Sequence, residues 1–185
     1  MQTTIDIPYL ESRNRGTVAI RLILAIPHMI LMGLWGYAVN FLTLIQWLIC
    51  LFTGKRNQGI WNFTNSYLGY STRVMTYAGL MHDVFPAFGT DAGAVPVTYE
   101  LPFAPNATAN RLTVVLRIIW AIPALLILML VGIAGQVLTI VAWFAILITG
   151  SMPRGMYDFL VKVHRYAVQV NAYTLLLTDT YPAYQ

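Results

Sequence analysis

The residues able to do chemistry in this sequence are few, and they come in matched sets. Arg21 and Arg117 each stand six residues before a proline, at the edge of an uncharged run, and Asp83 and Asp179 end the segment that follows each run. An arginine in an apolar helix is costly unless it snorkels to the interface or finds a carboxylate. Three readings therefore stand: snorkelling to phosphate, the structural ion pairs Arg21–Asp83 and Arg117–Asp179, and a lipid-phosphate contact shared with neighbouring arginines such as Arg15 and Arg111. Pro27 and Pro123 each remove a helix hydrogen bond and are expected to kink the helix that holds them.

Other candidates carry less. Asn40, Thr43, Gln46, Cys50 and Thr53 fall on one helical face, of which Gln136, Thr139 and Thr149 remain later in the chain. Such a face reads as interhelical hydrogen bonding or as a lined conduit. His28, His82 and His164 form no metal-ligand spacing with each other, with Cys or with carboxylates. His28 beside Pro27 is a lone histidine, and His82 beside Asp83 has no nucleophile to serve. No nucleophile elbow, phosphate loop, dinucleotide fingerprint or zinc-protease motif is present. The expectation is no catalytic residue, no cofactor and no metal.

The elements that hold these residues are apolar. Of 185 residues 58% are hydrophobic and 10% charged, where a soluble domain carries roughly a quarter charged. That excludes disorder and an ordinary soluble enzyme, and it gives an all-α integral membrane class. The net charge of +4 is a topology signal rather than a nucleic-acid footprint. A single cysteine, Cys50, excludes an intrachain disulfide. No basic stretch precedes an apolar one at Met1–Asp6, so no cleavable signal peptide is expected.

The chain is one unit written twice. Shifted by 96 residues it aligns on itself without a gap. Asn14-Arg15-x-Thr17-Val18-x-x-Arg21 recurs as Asn110-Arg111-x-Thr113-Val114-x-x-Arg117, and Ala25-Ile26-Pro27 as Ala121-Ile122-Pro123. Trp47 matches Trp143, Thr53-Gly54 matches Thr149-Gly150, and Asp83 matches Asp179. Even the lead-in echoes, Asp6-Ile7-Pro8-Tyr9 against Glu100-Leu101-Pro102-Phe103.

Within a unit, residues 22–54 and 118–153 hold no charge, and each run exceeds the roughly 20 residues of one span. Glycines and aromatics near 33–37 and 132–135 predict a turn in each, hence membrane hairpins over 17–53 and 113–149. An amphipathic helix follows each, over 58–82 and 155–178, and is expected to lie in the interface beneath its hairpin. The units are then 1–88 and 110–185, joined by an extended linker over 89–109. No basic residue lies at either turn, so the positive-inside rule predicts turns in the periplasm with linker and both termini in the cytoplasm. The Asn106-Ala107-Thr108 sequon falls on that cytoplasmic side and is discounted.

The repeated arginine string, Trp143-Phe144-Ala145-Ile146-Leu147-Ile148-Thr149-Gly150 and Leu176-Leu177-Thr178-Asp179-x-Tyr181-Pro182 resemble the bacterial family known as domain of unknown function 4389. The second unit is the closer copy. The first is diverged, with Lys55-Arg56-Asn57 where the second has Ser151-Met152-Pro153-Arg154. The resemblance implies a multi-pass protein of the bacterial inner membrane and carries no activity. The expected role is a non-enzymatic scaffold, accessory subunit or lipid-organising module, touching membrane lipids and a protein partner or a second copy. A small transport or channel component is the alternative.

Overall fold

The structure is a computed structural model that describes residues 4–104 and 109–184; the sequon at 106–108 lies outside them. The chain runs β1 (Thr4–Asp6), α1 (Arg15–Thr53), α2 (Gln58–Ala78), β2 (Thr98–Glu100), α3 (Arg111–Val115), α4 (Arg117–Thr149) and α5 (Arg154–Thr174).

Local chemistry explains where the long helices begin and end. The Asn14 side chain caps α1 by accepting from the N–H groups of Gly16 and Thr17, and Asn110 caps α3 by accepting from Thr113. At the other ends, Gly54 (φ 71°) and Gly150 (φ 78°) take the left-handed conformation and donate back to Cys50 and Ile146. The repeated Asn and Thr-Gly of the sequence are thus start and stop signals.

The hairpins are corrected by this architecture. Residues 33–37 and 132–135 are not turns. They lie inside α1 and α4, which run unbroken through Pro27 and Pro123. A seam of Val18, Arg21, Ala25, His28, Met32, Gly36 and Val39, spaced by three and four, is buried along one side of α1 and passes straight through the expected turn. Gly36 and Gly135 serve close approach instead, whereas a Cβ on Gly33 or Gly132 would meet nothing within 4 Å. A Cβ on Gly36 would meet the Tyr67 hydroxyl at 3.1 Å, and one on Gly135 would meet Val163 at 3.3 Å. Over residues 111–149 the helix is interrupted at Leu116, between α3 and α4.

The amphipathic helices are shorter than expected and pack along the long helices. α2 folds back antiparallel along α1, so that Tyr70 meets His28 near the middle and Tyr77 meets Arg21 near the end. α5 does the same along α4, with Tyr166 on Ala124 and Tyr173 on Arg117. The two long helices are themselves antiparallel. Trp143 donates its indole N–H to the Val18 carbonyl at 3.0 Å, and Trp47 to that of Val114 at 2.9 Å, joining opposite ends.

The result is layered. α1 and α4 form one layer, and α2 and α5 form the middle, where most of the core lies. The lead-ins and linker cross the far side as a two-stranded antiparallel sheet, with Ile5 opposite Tyr99, Thr4 opposite Glu100 and Asp6 opposite Thr98. Each lead-in packs on the other repeat's helix. Tyr9 stacks edge-on against Tyr157 of α5 at 5.0 Å, and Phe103 against Trp61 of α2 at 5.1 Å. An approximate two-fold, normal to the layers, relates the repeats. The linker is therefore paired through β2, not simply extended.

Candidate functional site

The charged residues of the sequence gather at two equivalent nodes, one at each end of the layer of long helices. Each node begins with the last turn of a middle helix. After α2, the N–H of Met81 returns to the Thr76 carbonyl and Leu80 adopts a left-handed φ of 65°. After α5, Leu177 returns to Ala172 and Leu176 has φ 63°. A leucine in that conformation costs roughly 1–2 kcal/mol. Both leucines are buried, and burial of the side chain offsets the cost.

That turn aims carbonyls at a buried guanidinium. Arg21 is 1% exposed. It donates to the carbonyls of Tyr77 and His82 and, at 2.5 Å, to Asp83. Arg117, 3% exposed, donates to the carbonyls of Tyr173 at 2.5 Å and Thr178 at 2.8 Å, and pairs with Asp179. Each guanidinium also lies over a tyrosine ring, Tyr77 at 4.6 Å and Tyr173 at 4.5 Å. The arginine thus adds a charged donor to helix-end carbonyls, of which those of Tyr77 and Tyr173 also accept from the Leu80 and Leu176 N–H groups.

A second arginine reaches each node from a non-equivalent position. Arg13 donates to the Met81 carbonyl at the first. Arg56 donates to the Leu176 carbonyl at the second and lies 2.5 Å from Asp179. Sequence reasoning passed over Arg56 as a site residue, because its counterpart is Met152 and a repeat comparison hides what is not repeated. At the first node Asp83 instead accepts from the Asn14 backbone N–H at 2.8 Å.

Arg15 and Arg111 do not join the carboxylates. Arg111 donates to the Phe52 carbonyl at 3.2 Å and packs beside Gly54, and Arg15 packs beside Gly150. Each covers the C-terminal end of the other repeat's long helix, where cations are favoured. His82 closes the first node, with Nε2 on the Thr76 hydroxyl at 3.1 Å. Burial, then the neighbouring Arg21 charge, lowers its pKa to about 4, so it is neutral at physiological pH.

The polar face of α1 is largely consumed by structure. Gln46 accepts from the Asn57 N–H and donates to the Asn57 carbonyl, fixing the entry to α2, and Asn40 donates to the Gly36 carbonyl. Thr43 alone keeps a buried hydroxyl without a partner. His28 bonds the Tyr70 hydroxyl through Nδ1 at 2.7 Å and stacks on Phe88. Among the described residues no group of three or more His, Cys, Asp or Glu is placed to hold a metal ion.

The family model described as a domain of unknown function, DUF4389, matches residues 15–89 and again 111–184. The chain belongs to this family. It carries two tandem DUF4389 units, and their bounds coincide with the structural repeat: the first opens at Arg15, which begins α1, the second at Arg111, which begins α3, and each closes past a node aspartate. No curated protein matches the chain, and no solved structure does. The two DUF4389 nodes are therefore described by their own geometry: a helix-end clamp that fastens each middle helix to a long one. α1 and α4 are long and apolar enough to cross a membrane by length and composition.

Proposed function

We propose that the protein is a non-enzymatic, lipid-organising scaffold on the cytoplasmic face of the bacterial inner membrane, with α1 and α4 lying in the plane of one leaflet. The observation that carries this reading is the segregation of the layers. The outward faces of α1 and α4 are predominantly apolar, with Leu22, Leu34, Phe52, Ile118, Ile133 and Ile148 all well exposed and Asn40 and Gln136 the exposed polar residues midway along them. Arg165, Lys162 and Asp158 lie on the layer behind. An exposed apolar surface of this extent calls for lipid or a partner.

Two arguments favour lying over crossing. At 1.5 Å per residue α1 is about 58 Å long, nearly twice a 30 Å hydrocarbon core. α2, α5 and the strands run alongside the long helices, so a crossing α1 would carry Arg73, Lys162 and the strand edges to the same depth. In the plane, by contrast, the two-fold becomes the membrane normal and both nodes sit at one depth, beside the headgroups. The transport alternative loses its support where Gln46 is spent on the Asn57 backbone.

Single cysteines at Gly16 and Thr53, in a Cys50→Ser chain reconstituted in vesicles, test the reading. An impermeant maleimide should label both from the same side. Labelling from opposite sides means that α1 crosses. A chain that does not float with vesicles and instead forms a detergent-free oligomer means that a second copy covers the apolar face.

A further inference from the structure

The antiparallel long helices do not close on each other along their whole length. Between them are two grooves, one beside each node, and the repeat relates their linings residue by residue. The first, with a cavity volume of about 360 Å³, is lined by Thr43, Trp47, Arg117 and Leu176. The second, of about 280 Å³, is lined by Thr139, Trp143, Arg21 and Leu80. Each of these four pairs is separated by the same 96 residues as the repeat itself. The grooves are thus one built feature occurring twice.

Their chemistry is narrow. Apart from Thr174 in the first and Gln136 in the second the remaining walls are apolar, and each groove includes residues of the exposed outer face: Ile118 is 75% exposed in the first and Leu22 71% in the second. Each mouth therefore opens on the face proposed above to meet lipid. At the node end each groove has a nearly fully buried arginine whose Nε lacks a hydrogen-bond partner. The first adds the Thr43 hydroxyl, also buried and without a partner. Buried donors left unmade are costly, and their presence at the end of an apolar groove points to an acceptor on an apolar chain.

We infer that each groove takes one acyl chain of a glycerophospholipid, its ester carbonyl directed to the arginine end, so that one chain of this protein holds two lipid molecules. One diacyl lipid cannot serve both. Along α1 from Leu22 to Leu44, one residue in each groove, the separation is about 33 Å. The inference rests on the docking reading, because the mouths must face lipid to fill. It adds the ligand class and a stoichiometry.

The test is native mass spectrometry of the full chain, stripped of lipid in detergent and titrated with dioleoylphosphatidylglycerol. Two discrete adducts are expected for the natural sequence. Ala121→Trp, which fills the first groove, and Thr139→Trp, which fills the second, should each leave one, and the double variant none. The lipid retained by each single variant shows that it is folded. Thr43→Val keeps the groove's shape and removes one hydrogen bond, so affinity at that groove should fall roughly tenfold. A graded series with no plateau at two, two adducts surviving Ala121→Trp, or saturation by oleate with no phospholipid uptake would each overturn the inference. Vesicle flotation is read in parallel. A chain that floats but keeps its adducts when the grooves are filled loses only the grooves, and one that never floats loses the docking reading.

Discussion

Arg56 forms an ion pair with Asp179 at 2.5 Å, although the two residues belong to different repeats. The connection between α1 and α2 is thereby fixed to the end of α5. Asp179 serves Arg117 as well, so a single carboxylate holds two guanidinium groups at the second node. Asp83 holds Arg21 and a backbone N–H.

This sharing predicts unequal mutants. Arg117→Ala removes one donor from each of two carbonyls and one of the two guanidinium groups on Asp179, and should cost about 3 kcal/mol of unfolding free energy, the scale for breaking a buried pair. Asp179→Ala should cost at least as much as Asp83→Ala, because it leaves two arginines without their anion. In detergent denaturation the Arg117→Ala, Asp179→Ala cycle should be non-additive by more than about 0.5 kcal/mol. Additive losses would show that the two side chains act independently.

His82 predicts the acid response. Its folded pKa is near 4 and its unfolded value is 6.5. The folded state excludes a proton that the unfolded chain binds, so stability is full above about pH 6.5 and falls as the pH drops toward 4. The loss accumulates to about 3 kcal/mol across that window, at 1.36 kcal/mol per pH unit. His82→Gln should flatten the slope between pH 6.5 and 4, read from denaturation midpoints. An unchanged slope would assign the acid sensitivity to other groups.

The tryptophan pair predicts a symmetric effect. Trp47→Phe and Trp143→Phe each remove an indole N–H from a helix carbonyl while keeping an aromatic ring. Each should cost about 1 kcal/mol, and the losses should add, because the bonds lie at opposite ends of the long helices. Thermal melts of the three variants check it. A single dominant tryptophan would mean that one end carries the contact between the long helices.

Gly54 and Gly150 predict the weight of the helix stops. Alanine at either must hold a φ above 70° and come within about 3.3 Å of an arginine from the other repeat. Gly150→Ala should destabilise by about 1 kcal/mol or more, and more than Gly54→Ala, since Arg15 stands closer to Gly150 than Arg111 does to Gly54. Equal melting shifts would indicate that the backbone conformation alone sets the cost.

The sequence made the repeat, the helix caps and the two Arg and Asp positions visible, because each recurs in identical type at a fixed offset. It misled at 33–37 and 132–135. Glycine inside an apolar run signals a turn when read locally, and here it admits the side chain of a neighbouring helix. The signal against a turn was the three-and-four spacing from Val18 to Val39, which needs an unbroken helix to stay on one face. Three-residue strands are too short to show alternation, so the pairing of Ile5 with Tyr99 was hidden even though the lead-in echo was plain. Arg13 and Arg56 act alike at the two nodes but have no counterparts of their own, and comparison of the copies filters out such residues.

The crossed lead-ins bear on how such a chain came to exist. Tyr9 rests on the second repeat and Phe103 on the first, so a lone unit has no aromatic arm to lay on its own middle helix. A one-unit ancestor would have reached this arrangement only by exchanging arms with a sister molecule, and its folding would have depended on its own concentration. Fusion of two such genes turns that encounter into an event within one molecule, set by the reach of the 89–109 segment rather than by abundance. Within the one chain the halves need not match at every position, and Arg13 and Arg56, aligned with Ala109 and Met152 across the repeat, are where the nodes differ.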